Sequence, residues 1–152
     1  MRLHCALVAA VLAAASTMAP AVDTDPAERV ASDPDVVAAR KARDGGDWKE
    51  AVVRLRRAER RFPEDADLQN ALGYASRQMK DYDAAFRHYR KALQIDPRHR
   101  GAHEYIGEAY LLVGDLASAE QHLAALRGIC LLPCEELRDL EKGVAQHKAR
   151  TR

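Results

Sequence analysis

Aromatic residues and cysteines are scarce in this 152-residue chain: one tryptophan, two phenylalanines, five tyrosines and three cysteines. Neither charge dominates, with 24 basic residues against 23 acidic ones. Few stacking faces and no basic excess leave no expectation of a nucleic-acid surface or a polybasic membrane arm. The usual catalytic signatures are missing too. No Gly-x-Ser-x-Gly elbow, phosphate-cradling glycine loop or His-Glu-x-x-His occurs. No catalytic set emerges, so an enzyme is not expected, and neither a cofactor nor a metal is expected.

A long apolar run is also lacking. The stretch Cys5 to Ala15 follows Arg2 and is about 11 residues, against the roughly 20 that a bilayer core of about 30 Å demands of a helix. With Ala19-Pro20-Ala21 as a small-x-small cleavage pattern, residues 1–21 are expected to be a secretory signal peptide. An uncleaved N-terminal anchor is the alternative. A lipoprotein fits less well, because Cys5 precedes the apolar run instead of following it. Cleavage would remove Arg2 and Cys5, leaving basic and acidic residues equal in number and two cysteines, Cys130 and Cys134. The mature chain is then expected in a periplasm or outside the cell, without stable membrane insertion. Residues 22–31, with prolines and acids but no helical period, read as a flexible lead-in.

What the chain does have is a period of 34. The stretch Ala66 to His99 carries Leu72-Gly73 in one helical run, a break at Asp81-Tyr82, and Ala85, Tyr89, Ala92 and Leu93 in a second run before Asp96-Pro97. Shifted by one period, Asp81 falls on Asp47 and Asp115, and Gly73 on Ala39 and Gly107. Likewise Ala85 falls on Ala51 and Ala119, Tyr89 on Leu55 and Leu123, and Pro97 on Pro63. In the last unit the proline arrives two residues late, as Pro133. Small residues at Ala39, Gly73 and Gly107 let paired helices approach, and large ones at 3.6-residue spacing fill the gaps between neighbours.

On these residues the chain closely resembles the tetratricopeptide repeat (TPR) family. The resemblance covers Ser32–Asp65, Ala66–His99 and Arg100–Pro133, that is residues 32–133. About three such hairpins are needed for a stable stack. Helices are expected near Pro34–Arg43, Trp48–Arg61, Ala66–Met79, Tyr82–Gln94, Arg100–Val113 and Leu116–Arg127, with Gly128 as the last stop. Residues 134–152 supply a capping helix, Glu135 to Lys148, whose apolar stripe is Leu137, Leu140 and Val144. The expected fold is all-α, an α-solenoid of three helix–turn–helix repeats with that C-terminal cap.

In such stacks the first helix of each repeat lines a concave groove suited to a peptide or a single helix. By phase its lining includes Val36, Arg40, Arg43, Asp67, Asn70, Tyr74, Arg77, Gln78, Glu104, Glu108, Leu111 and Leu112. Arg40, Arg43 and Arg77 suggest a basic end, and Glu104 and Glu108 an acidic one. For each polar residue singly, ordinary solvation is the simpler account. Val36, Ala71 and Gly101 occupy places where the carboxylate-clamp members of the family carry basic and asparagine residues, which argues against chaperone C-termini as ligand. The resemblance therefore implies a non-enzymatic scaffold or adaptor for a protein or peptide.

Two other functions stay open. Cys130-x-x-x-Cys134 could handle redox or copper, since thiolates favour Cu(I). Exposed helix faces could give weak self-association. In an oxidising compartment the two cysteines are expected to form a disulfide across the turn that holds Pro133. His99 and His103, four apart, could share a helix face. His88 and His122, one period apart, are expected to line up on the outer surface. The arginine-crowded second helix reads as a solvated face with a Glu50–Arg54 pair, or as a patch for an acidic partner.

Overall fold

The computed structural model describes residues 25–151, and in it every element is a helix. The signal-peptide expectation falls on residues 1–21, outside the described residues. In chain order the helices are α1 Pro26–Ala31, α2 Pro34–Asp44, α3 Trp48–Glu59, α4 Ala66–Gln78, α5 Tyr82–Ile95, α6 Arg100–Leu112, α7 Leu116–Ile129 and α8 Glu135–Arg150. The pairs α2/α3, α4/α5 and α6/α7 are the three hairpins of the solenoid, and α8 packs against α6 and α7. The lead-in carries a short helix, α1, capped by the Asp25 carboxylate and opened by Pro26. No described helix is long and apolar enough to cross a membrane.

The period of 34 is written into the turns. Asp47, Asp81 and Asp115 each cap the second helix of a hairpin, accepting the backbone N–H of Glu50, Ala84 and Ser118 at 3.0 Å. An aspartate recurs there because a helix N-terminus offers unpaired donors to a short carboxylate. Just before each cap the chain must turn left-handed, at Gly46, Lys80 and Gly114 with φ of 74°, 62° and 83°. Glycine meets that demand twice, and Lys80 meets it against the Cβ penalty.

Packing follows the same frame. A Cβ on Gly73 would lie 2.5 Å from Tyr89 Cδ1, so α4 and α5 touch at a notch that only glycine leaves open. The corresponding notch at Gly107 is filled differently, by Leu140 of α8 at 2.7 Å. Leu140 is fully buried and stands one period beyond Ile106 and two beyond Leu72. The cap thus docks in the phase of a fourth first helix. Arg127–Glu141, Lys148–Glu120 and Arg100–Glu136 fasten its charged edges to α7 and α6. Such surface pairs are worth about 0–1 kcal/mol each, so the docking rests on the apolar stripe.

A polar pair crosses the seam between the two helices of each repeat, always 19 residues apart and always in phase. In the first repeat Arg54 donates to Asp35 at 3.3 Å, in the second His88 meets Gln69 at 2.9 Å, and in the third His103 meets His122 at 3.0 Å. His88 and His122 therefore do not line the outer surface as expected from their spacing. Each is half-buried against a partner on the preceding helix, because position 88 in the repeat faces that seam. His103 Nε2 sits 3.1 Å from the Pro97 carbonyl, which can only accept, so that nitrogen carries the proton and Nδ1 accepts from His122. Burial and the neighbouring His103 push the His122 imidazole down to about 4.

The expected stop at Gly128 is also corrected. Helix α7 runs through it to Ile129, and the Cys130 N–H bonds to the Leu126 carbonyl at 2.8 Å. The chain leaves the helix where Cys130 joins Cys134 in a disulfide, with Cα atoms 6.0 Å apart. The small ring so formed holds Leu131 and Leu132 out in solvent, 90% and 81% exposed.

Candidate functional site: the concave groove

Two adjoining cavities lie along the concave side, of ≈ 450 Å³ and ≈ 580 Å³, and they share Asp67, Asn70 and Tyr105. The first is built by α2, α3 and α4. Its lining includes Val36, Ala39, Trp48, Tyr74 and, at the rim, Arg40 and Arg43. The second lies where α4, α6, α8 and the α5–α6 turn meet, and six carboxylates line it against two arginines.

Between them runs an aromatic floor. Trp48 and Tyr74 meet edge to face with centroids 5.7 Å apart, and Tyr74 and Tyr105 follow at 5.1 Å. The Arg77 guanidinium lies over both tyrosines, 5.2 Å and 5.4 Å from the ring centroids, and donates to Glu108 on α6. Cation–π contacts of this kind, with a carboxylate behind, hold an arginine in one place. Arg77 is thus a tie between α4 and α6, its charge neutralised by Glu108.

That placement sorts the residues expected from the sequence. Arg40, Arg43, Asn70 and Tyr74 come together around the first cavity, and Asn70 and Glu104 around the second. Arg77 and Glu108 line neither cavity and pair with each other, so among the described residues the basic rim is Arg40 and Arg43. Arg40 reaches the Ala31 carbonyl at 3.1 Å and Arg43 the adjacent Asp44. Asn70 sits at the junction, with its Oδ1 buried and without a donor among the described residues.

The acidic half has its own wiring. His99 caps α6 by accepting the Ala102 N–H on Nδ1 at 3.1 Å, so its Nε2 donates to Asp67 at 3.0 Å. The Asp67 carboxylate raises the His99 pKa, and the same bond lowers that of Asp67. His99 therefore serves the cap and Asp67, while His103 is buried in the seam of its own repeat. The two do not converge. Glu104 on α6 is 8% exposed, and desolvation with the nearby Glu108, Asp139 and Glu136 carboxylates pushes its carboxyl up to about 8.

Sequence reasoning missed Trp48, Tyr105 and the wall contributed by α8. Phase alone points at first-helix positions, whereas Trp48 opens a second helix and reaches the floor from the side. Glu135 and Glu136 lie in the first turn of α8 and Asp139 just beyond it, and docking of Leu140 turns them toward the groove. The spacing of Leu140 from Ile106 was the available signal.

Outside the groove, Arg54 of α3 and Arg61 in the turn after it are held in ion pairs with Asp33, Asp35 and Glu50. Arg56, Arg57 and Arg60 stay exposed.

Comparison with known proteins agrees with this architecture. Two family models described as tetratricopeptide repeat match residues 36–100 and 76–129. Among solved structures, the chain is similar to the TPR2B domain of yeast Sti1, in a structure titled as a complex with pHsp70. The identity is 21%, covering 76% of this chain and 94% of that one, with a TM-score of 0.71. It is similar also to the type III secretion translocator chaperone SycD of Yersinia enterocolitica, at 18% identity, 86% and 89% coverage and a TM-score of 0.70. A further SycD structure, in complex with a peptide of the translocator YopD, gives 18% identity, 86% and 98% coverage and 0.68. No curated protein matches the sequence.

Proposed function

Since the chain belongs to the tetratricopeptide repeat family, we propose that it is a non-enzymatic scaffold that seats an extended segment of a partner protein in its concave groove. The observation that carries this reading is the continuous groove itself. Its aromatic floor, Trp48, Tyr74 and Tyr105, suits an apolar side chain, and Asn70 stands at mid-groove with an acceptor that no described residue uses. Rigid aromatics with an amide beside them give contact area and backbone pairing at low entropic cost. Structures of similar fold titled as complexes with pHsp70 and with a YopD peptide support a peptide ligand. The absence of clamp-type residues at Val36, Ala71 and Gly101 argues for a ligand other than a chaperone C-terminus.

The setting we propose is a bacterial periplasm. Residues 1–21 have the composition of a signal peptide, and the disulfide suits an oxidising compartment. Fusing residues 1–30 to an alkaline phosphatase that lacks its own leader tests this. Active phosphatase supports export, and inactive enzyme in the cytoplasm contradicts it.

The groove is tested by panning a random dodecapeptide library on the purified protein and measuring the selected peptides by fluorescence anisotropy. Tyr74→Ala with Asn70→Ala should weaken them by more than about 1 kcal/mol while the helical circular dichroism stays the same. Unchanged affinity in the folded double variant would place the binding surface elsewhere. The second reading, thiol or copper chemistry at Cys130 and Cys134, is favoured by the paired sulfurs alone. It predicts that Cys130→Ser/Cys134→Ser abolishes function, whereas a groove scaffold keeps its peptide.

A further inference from the structure

The second half of the groove carries a more specific signal than peptide binding in general. We propose that the pocket between α4, α6 and α8 receives a basic side chain, lysine or arginine, of the bound peptide, with Glu104 at its base and Asp139 and Glu136 at its wall. This rests on the peptide-groove reading and adds to it the chemistry and direction of the ligand.

Three observations converge. First, Glu104 is more than nine-tenths buried, its carboxyl opens on the pocket, and no described arginine, lysine or histidine pairs with it. A buried carboxylate normally has a partner, since leaving one without costs far more than the pair returns. Secondly, carboxylates outnumber cations in the lining, six against exposed Arg98 and Arg100, with His99 held by Asp67. Arg77 is committed to Glu108 and to the tyrosine faces, and Arg100 lies 3.6 Å from Glu136 at the exposed edge. Asp139 and Glu104 are left without a described cation. Thirdly, the described acids are not grouped closely enough to hold a metal ion. A larger cation with several donors spread over its head is what can reach more than one of them. An ammonium or guanidinium has that form.

The carboxyl of Glu104 is held up to about 8 by desolvation and by Glu108, Asp139 and Glu136. Near neutral pH it therefore keeps its proton. An arriving cation displaces that proton and supplies the missing partner. The other end of the groove completes the polarity. Arg40 and Arg43 stand at the far rim, beyond the aromatic floor. A peptide with its basic residue against Glu104 and an acidic residue toward Arg40 is matched in one direction and repelled in the other.

The test uses dodecapeptides panned on the purified protein, and compares the native protein with Glu104→Gln/Asp139→Asn. Selected peptides should carry lysine or arginine at a fixed distance from an apolar residue. Replacing that residue with norleucine should weaken binding to the native protein about tenfold or more. On the doubly substituted protein the same replacement should change affinity less than about twofold, because Glu104 and Asp139, which no described cation pairs, are both gone. Peptides that bind without a preferred basic position overturn this inference and leave the groove reading intact. So does an equal norleucine effect on both proteins. If no peptide is enriched at all, the groove reading fails and takes this one with it. Circular dichroism of the double variant must match the native protein. Glu104→Gln alone is the fallback where it does not.

Discussion

Replacing Glu104 by glutamine should make the protein more stable as the solution turns alkaline, a direction opposite to that of most buried substitutions. The carboxyl is held up to about 8 by desolvation and by Glu108, Asp139 and Glu136, with Arg77 opposing. Between about pH 4.5 and 8 the folded chain therefore keeps a proton that the unfolded chain has released. Stability must fall as pH rises through that window. At about 1.36 kcal/mol per decade of pH, the ceiling is about 5 kcal/mol. The pocket is open at its mouth, so water and salt screen part of this, and about 2–3 kcal/mol is the expected gain. That is a large share of the 5–15 kcal/mol typical of a small domain. The assay is urea unfolding followed by helical circular dichroism, on native protein and Glu104→Gln, at pH 5, 7 and 9. The two should nearly coincide at pH 5, and the variant should pull ahead at 7 and further at 9. Burial of His122 lowers its pKa and the Asp67 bond raises that of His99, and both bend the absolute curves. Both proteins share those residues, so the difference between them isolates Glu104. A difference that stays flat with pH would refute the reasoning.

Other expectations follow from the same packing. Lys80→Gly should stabilise by about 0.5–1 kcal/mol in a urea melt, because relief of the left-handed φ outweighs the added freedom of the unfolded chain; a loss would show that Lys80 is unstrained. Leu140→Ala should cost about 2–5 kcal/mol, since it empties the notch at Gly107 and undocks the cap. A cost under about 1 kcal/mol would mean that α8 does not hold the end of the stack. Alkylation before reduction, followed by peptide mapping of protein prepared from an oxidising compartment, should leave Cys130 and Cys134 unlabelled. Two labelled thiols there would remove the disulfide and make a copper titration the next step.

Much of the fold could be read from one period. Asp47, Asp81 and Asp115 mark helix starts because a cap is a local demand, met by a neighbouring residue. Gly73 likewise announces a close approach because no other side chain fits against Tyr89. The seam was not legible. Nothing in the residue types of Asp35, Gln69 and His103 says that they occupy one slot, and their partners Arg54, His88 and His122 change chemistry with them. The groove was legible by half. Arg40, Asn70, Tyr74 and Glu104 follow from phase, since first helices face inward. Pairing across helices was not, so Arg77 read as part of a basic end although Glu108 claims it. The wall from α8 depends on how a helix that stops the stack docks, with Leu140 seated in the notch at Gly107.

The concave groove as the seat of a peptide is tested most directly by amide chemical-shift mapping of a panned dodecapeptide on isotope-labelled protein. The largest changes should fall on Arg40, Asn70, Tyr74, Glu104 and Tyr105, with Asp139 following, while Arg57, Arg87 and Gln121 on the outer helices stay still. Changes concentrated on those outer positions, with Asn70 and Tyr74 unmoved at saturation, would contradict it.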